Sequence, residues 1–390
     1  MAICMLSAAN LGSTTVYSCI APFYPNAAKV KGLGSFETGI VFGIFELIMF
    51  FAAPLFGKYV ILGHKRMFVF GIAVTGTTAM LFGFLNYIES SSLFFWCSVT
   101  IRIAEAVGDA AFVTSSFAIA AKRFPGRVAT IIGILETFAG LGYTAGPPLG
   151  GMLYEIGGFQ LPFLVLGLVL LFISLLAYFL IEKIDAMNGK DMLGMLKIPV
   201  FWIMIYAVFL CAISLSFLDP TLAHHLESFK LSTTVVGLMF LLCGGIYTIT
   251  AMFWGVIVDK FSCHRAILFF GATAVVLSMV MIGPLPLLKV EKNLAWIAIA
   301  LGVLGVAASA IYIPTFQACI DAVCEYGYED SAQTYGCVSG VVQSAFAFGS
   351  FIGPTIGGLC AEWIGFAWTA AIIALLNIIF VSFCDNFRVK

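Results

Sequence analysis

Six ionisable residues fall well inside long apolar stretches of the sequence: Glu46, Arg102, Glu105, Asp109, Glu136 and Asp219. Holding such a group in lipid costs about 2.5–3.5 kcal/mol on insertion scales, so these residues either pair with one another or serve a function. Five are carboxylates and one is a guanidinium. One arginine cannot neutralise five carboxylates, so the others must take up protons or await a cation. Arg102, Glu105 and Asp109 follow an i, i+3, i+7 spacing, which puts them on one helical face. Arg102 can pair with Glu105 as a purely structural contact, and Asp109 lies beyond the pair, nearer the membrane middle. Glu136 stands two helical turns before a glycine-rich segment, on the face of Gly133 and Gly140. A carboxylate there loses water when the surrounding helices close, which makes Glu136 the best candidate for carrying a proton. Asp219 precedes Pro220 and reads as a binding carboxylate or as an Asp-Pro bend. Glu46 reads as a proton-coupling group or as a buried, hydrogen-bonded side chain. The expected cation-binding set is Glu105, Asp109, Glu136 and Asp219. Tyr17 and Tyr312 would offer their ring faces, worth about 0.5–2 kcal/mol to a cation. Proton coupling is assigned to Glu136, Glu46 and Arg102.

The elements that must hold these residues are membrane helices. The chain has 390 residues, of which 62% are hydrophobic and 10% charged. Soluble domains carry about 25% charged residues, so this chain must be solvated largely by lipid. A bilayer core of about 30 Å needs about 20 apolar residues in a helix. Twelve such stretches are expected, near 2–24, 37–57, 67–88, 93–121, 128–150, 160–181, 199–222, 233–256, 266–288, 294–320, 334–356 and 363–384. The first reads as a retained helix and not as a cleaved leader, since it lacks a basic start and a small-residue cleavage site. The polar stretch after the sixth divides the chain into a six-helix bundle over 1–181, a linker over 182–198 and a second six-helix bundle over 199–390. With both termini cytoplasmic, 13 of the 19 basic residues fall on the cytoplasmic side. Lys29, Lys31, Lys230, Lys289 and Lys292 fall on the other. That bias sets the expected orientation.

The two halves repeat. GYTAGPPLGG over 142–151 and GSFIGPTIGG over 349–358 both fit G-x-x-x-G-P-x-x-G-G. Glu155 and Gly158-Phe159 recur as Glu362 and Gly365-Phe366. Gly142, Gly146, Gly150 and Gly151, with Gly349, Gly353, Gly357 and Gly358, would let helix backbones approach closely. Pro147 and Pro354 each remove a backbone donor and are expected to kink their helices. A looser repeat relates Gly57-Lys58 to Gly255 and Asp259-Lys260. Two parallel six-helix repeats are the layout of the major facilitator fold.

These residues resemble the antiporter motif of major facilitator drug:proton antiporters and vesicular neurotransmitter transporters. Gly255, Asp259 and Lys260 resemble the superfamily's G-x-x-x-D-R/K loop motif. The first copy departs from it, with Ile61 near where Asp is expected. More narrowly the chain resembles the vesicular polyamine branch related to the vesicular monoamine and acetylcholine transporters. The resemblance rests on Ala21-Pro22-Phe23-Tyr24-Pro25, Leu135-Glu136, the Phe217 to Leu222 run and Ile313-Pro314-Thr315-Phe316. It implies a proton-coupled antiporter of small organic cations, polyamines above all, in secretory or synaptic-like vesicles. Such a protein would partner with protons, the cation and the bilayer, and is expected as a monomer. The predicted first helix offers Asn10, Ser13, Thr14, Tyr17 and Ser18 where monoamine transporters carry an acid. A drug or other amine antiporter and a non-transporting homologue are the alternatives.

Other chemistries find little support. The net charge of −1 presents no basic face for nucleic acid. The eleven cysteines form no C-x-x-C or Cys/His cluster, so no metal and no cofactor are expected. No hydrolase or metalloprotease motif appears, and an enzyme is not expected. His224 and His225 read as a pair of exposed loop histidines, and Asp321, Glu325, Glu329 and Asp330 as a solvated acidic face.

Overall fold

A computed structural model describes residues 2–59, 63–182, 192–231, 233–261, 263–284, 292–329 and 331–386. Ile61, Lys289, Asp330 and most of the expected linker lie outside them. Every regular element among the described residues is helical. Twelve long helices are numbered in chain order. The first six are α1 (Ala2–Ser18), α2 (Ser35–Tyr59), α3 (His64–Gly83), α4 (Ser91–Arg123), α5 (Val128–Gly157) and α6 (Gln160–Leu180). The second six are α7 (Pro199–Ser216), α8 (Thr233–Phe261), α9 (His264–Ile282), α10 (Leu294–Glu325), α11 (Ala332–Ile352) and α12 (Phe366–Asn386). Ten of them, α2 to α11, are long and apolar enough to cross a membrane. α1 has 17 residues, and the described apolar part of α12, Phe366–Ser382, is also shorter than a full span. The expectation of twelve spans is therefore met at ten positions.

Cα proximity divides the chain into two compact units. One comprises Met1–Pro125, Phe138–Gly189 and Asp330–Ser344; the other comprises Gly126–Thr137, Lys190–Glu329 and Ala345–Lys390. Each unit takes a short segment from the opposite half of the sequence: the start of α5 joins the second, and the start of α11 joins the first.

Within the first unit α3 packs on α4 and α6, α2 on α4, and α1 on α6. Within the second, α9 packs on α10 and α12, α8 on α10, and α7 on α12. Each pairing in one unit recurs six helices later in the other. Small residues make these approaches possible, because lipid tails offer helices no hydrophobic drive to associate and close packing must supply it. A methyl group on Gly71 of α3 would lie 2.6 Å from the Gly108 carbonyl of α4, and one on Gly271 of α9 would lie 3.0 Å from the Ala307 carbonyl of α10. Gly158 after α5 and Gly365 before α12 both take positive φ, of 68° and 89°. A side chain would strain that backbone, which gives the repeated Gly-Phe pair its physical reason.

Candidate functional site

The two units carry different polar chemistry. In the first, α4 presents the stripe expected from its spacing. Arg102 Nη1 donates to Glu105 Oε2 at 2.8 Å, with both side chains 3% exposed or less. Three rings surround the guanidinium, with centroids 5.4 Å away for Tyr17, 5.6 Å for Phe82 and 5.7 Å for Phe45. Tyr17 thus already faces a cation belonging to the protein. Glu105 and Arg102 satisfy one another's charge, and removing either partner of such a buried pair costs about 3–5 kcal/mol. Asp109, one turn on and half-buried, accepts a hydrogen bond from the Ser13 hydroxyl of α1. Asn10, one turn before Ser13, reaches Ser116 of α4 at 3.3 Å. Asp109 therefore has a hydroxyl for a partner and no cation among the described residues. Glu46 lies half-buried on α2.

In the second unit the carboxylate is Glu136, in the early part of α5. Tyr247 of α8 donates to its Oε2 at 3.2 Å, and the Tyr312 hydroxyl of α10 is a second donor. Tyr312 is 2% exposed, with its ring edge against Phe346. The polar contacts continue along α8. Thr250 shares a hydrogen bond with Ser309 at 2.7 Å, and the Trp254 indole donates to the Val306 carbonyl at 3.2 Å. Sequence reasoning did not single out Tyr247. Its signal lies in Gly244, Gly245, Thr248 and Thr250, a small and polar run inside an apolar span, but only packing shows which helix that run faces.

Asp219 stands exposed in the first turn of a short helix, Leu218–Leu226, one residue after α7 ends. Pro220, the third residue of that helix, lacks the N–H that would have continued α7, which is why the break falls there. The histidine pair differs from expectation. His224 and His225 are helical, not in a loop. His224 is exposed beside Glu227 at 3.1 Å. His225 is buried, stacks on Phe366 with centroids 3.9 Å apart, and bonds to the Ile282 carbonyl at 3.0 Å. A helical pair points its two side chains about 100° apart, so one enters the core while the other stays in solvent. Asp321, Glu325 and Glu329 are exposed, as an acidic solvated face requires.

Both glycine motifs act as close-approach faces. Methyl groups on Gly142, Gly146 and Gly150 of α5 would strike α1 at Leu11, Thr14, Thr15 and Ser18, and Cys19 just after it. On Gly349 and Gly353 they would strike α7 at Phe209, Ala212 and Ser216, and on Gly357 the Phe217 ring at 3.1 Å. Gly151 has open space, and Gly358 has only the Pro220 ring at 3.8 Å. The last glycine of each motif is therefore not demanded by packing. The prolines act differently in the two copies. α5 stays α-helical through Pro147 and Pro148. After α11 the chain makes a turn of π-helix over Gly353–Gly357, which contains Pro354. Such turns accommodate a carbonyl that has lost its donor.

The loop motif has a specific task. Asp259 accepts hydrogen bonds from the N–H groups of Ala129 and Thr130, at 3.1 and 2.7 Å. These are orphan donors of the first turn of α5, and a carboxylate there also faces the positive end of the helix dipole. Gly255 lets the two backbones meet: a methyl group there would sit 2.5 Å from the Ala129 carbonyl. Lys260 points outward over the Phe261 ring.

Comparison with known proteins agrees with this architecture. The Major Facilitator Superfamily profile matches residues 6–336. The mouse MFS-type transporter SLC18B1 is 38% identical over 376 residues, covering 95% of this chain and 82% of its own. The human protein of that name is 37% identical, with coverage of 96% and 84%. The human synaptic vesicular amine transporter is 26% identical over 66% of this chain and 49% of its own length. The crystal structure of the human organic anion transporter MFSD10 (TETRAN) superposes with a TM-score of 0.82 at 16% identity, covering 98% of each chain. At that identity the likeness speaks for the fold. The chain is an integral membrane protein homologous to SLC18B1 and to the vesicular amine transporters, and it belongs to the Major Facilitator Superfamily of transporters.

Proposed function

We propose that the protein is a proton-coupled antiporter of small organic cations, with polyamines such as spermidine as its cargo and acidic vesicles as its site of action. The observation that carries this reading is a charge imbalance. Among the lysines and arginines of the described residues Arg102 is the buried one and it pairs with Glu105, while the hydrogen-bond partners of Asp109 and Glu136 are hydroxyl groups. A carboxylate in such surroundings gains by taking up a cation or a proton, and competition between the two couples their flows. An organic-anion carrier would need a surplus of basic groups, and the buried guanidinium already has Glu105 as its counter-charge. Both termini are taken to face the cytoplasm, so cargo enters there and protons arrive from the acidic lumen. The two repeats supply alternating access. The relatives named as vesicular amine transporters support the cargo class, and Asp219 extends the acidic set.

The test is uptake of labelled spermidine by proteoliposomes with an acidic interior, comparing the wild type with Glu136→Gln. Gradient-driven uptake that the substitution abolishes supports the reading. Uptake that ignores the gradient removes the proton coupling, and uptake of another solute in place of spermidine removes the cargo.

A further inference from the structure

Glu136 is served by a residue on a different helix whose chemistry fits both of its protonation states. Tyr247 Oη lies 3.2 Å from Oε2. Among the described residues, the titratable groups that interact with Glu136 from the helices packed against it are Cys211 of α7, Tyr247 of α8 and Tyr312 of α10. No lysine or arginine among the described residues meets it. A phenol has one proton to donate and lone pairs to accept with. Towards a carboxylate it can only donate. When a proton adds to Oε2, the new carboxyl O–H needs an acceptor, and the same phenol oxygen provides one once its own O–H rotates about the C–O bond. The phenol stays neutral throughout, and the only proton that moves is the one Glu136 gains or loses.

The molecule contains its own control. Counted back from the repeated glycines, Glu136 corresponds to Gln343 and Tyr247 to Met49. At that second position Gln343 and Met49 are both buried, and the neighbouring helix contacts are kept. The hydroxyl of Tyr247 is therefore not a packing requirement. We infer that Tyr247 is the positioning residue for Glu136, holding the carboxyl in one place as donor when it is ionised and as acceptor when it is protonated. This rests on the reading of Glu136 as proton carrier and goes beyond it by naming the group that orients the carrier.

The experiment begins without cargo. Infrared difference spectra of the purified protein between acid and alkaline pH show the carboxyl stretch of Glu136 as the band that Glu136→Gln removes. In Tyr247→Phe that band is expected to move to the position of a less hydrogen-bonded carboxyl. Proton-driven spermidine uptake should then fall about tenfold, the loss expected for one hydrogen bond to a charged group. Added to Glu136→Gln, Tyr247→Phe should lower residual spermidine counterflow no further, because two residues acting as one unit are not additive. Tyr247→Met, which installs the residue found in the other repeat, covers the case in which Tyr247→Phe folds poorly. A Glu136 band that stays in place in both Tyr247 variants overturns the inference, as does a further loss of counterflow in the Glu136→Gln background. Absence of any band removable by Glu136→Gln overturns the proton-carrier reading along with it. A moved band with no spermidine uptake keeps Tyr247 in its role and discards the cargo alone.

Discussion

The start of α5 against α8 and the start of α11 against α2 are two copies of one interface, yet they differ in charge. In the first copy, a methyl group on Gly133 would meet the Ala251 carbonyl at 2.6 Å, and Thr137 donates to the Thr248 carbonyl at 2.9 Å. In the second, a methyl group on Gly340 would meet the Ala53 carbonyl at 2.5 Å, and Ser344 donates to the Phe50 carbonyl at 2.6 Å. Glycine, hydroxyl and carbonyl thus repeat as a set. Around them the first copy carries Glu136 and Tyr247, where the second carries Gln343 and Met49. The N-terminal turn of α5 is held by Asp259, whereas that of α11 is held by Ser331, which accepts from the Thr334 N–H at 3.2 Å. Packing needs neither the Glu136 carboxylate nor the phenol. Their presence in one copy marks chemistry added to a shared scaffold.

The largest expected effect comes from exchanging charge between the copies. Glu136→Gln should change thermal unfolding by no more than about 1.5 kcal/mol, because the amide keeps an oxygen to which Tyr247 can donate, while proton-driven uptake falls at least about 100-fold, in line with general acid–base groups. Gln343→Glu should do the reverse, costing about 2.5–3.5 kcal/mol of stability through an added ionisable group inside the protein. If both substitutions destabilise equally, the two copies are not chemically distinct. Next in size is the shared glycine. Gly133→Ala and Gly340→Ala should each cost about 1–3 kcal/mol, because the new methyl group meets backbone that cannot move aside. Comparable shifts in thermal unfolding would confirm that both copies use the same approach, and a silent variant would break the equivalence. Smaller still are the caps. Asp259→Ala should cost about 1–2 kcal/mol and Ser331→Ala about 0.5–1 kcal/mol, since the first removes two acceptors and a charge and the second a single hydroxyl. Equal losses would show that the charge on Asp259 adds nothing. The one expected gain belongs to Gly151→Ala, where the added methyl group meets open space within α5, so stability should rise by about 0.4–1 kcal/mol.

Much of this was legible in residue types and spacing. The Arg102–Glu105 pair follows from a three-residue separation on a helix, and both glycine motifs stand out as repeats in the sequence itself. Glu136 stands out in the sequence by its place ahead of the first motif. Other features were not legible for specific reasons. Tyr247 lies 111 residues from Glu136, and nothing local reveals that their helices touch. Tyr17 looked available to a ligand, but its ring is turned to Arg102. His225 looked exposed because a loop was expected where the short helix after Pro220 runs. The π turn at Gly353–Gly357 has no counterpart at Pro147, although both copies share the G-P pair, so the difference is set by surroundings and not by the motif.

By itself the sequence determined that this chain lives in lipid, that its halves repeat, and that it keeps more carboxylates than cations within its spans. These follow from composition and period, because an apolar helix in a bilayer satisfies its own backbone and a charge within it stands out. The tertiary structure alone decided that, among the described residues, Asp109 and Glu136 meet hydroxyl groups and no cation. A carboxylate's state depends on the groups within a few ångströms of it, and those groups come from helices that the sequence does not order in space.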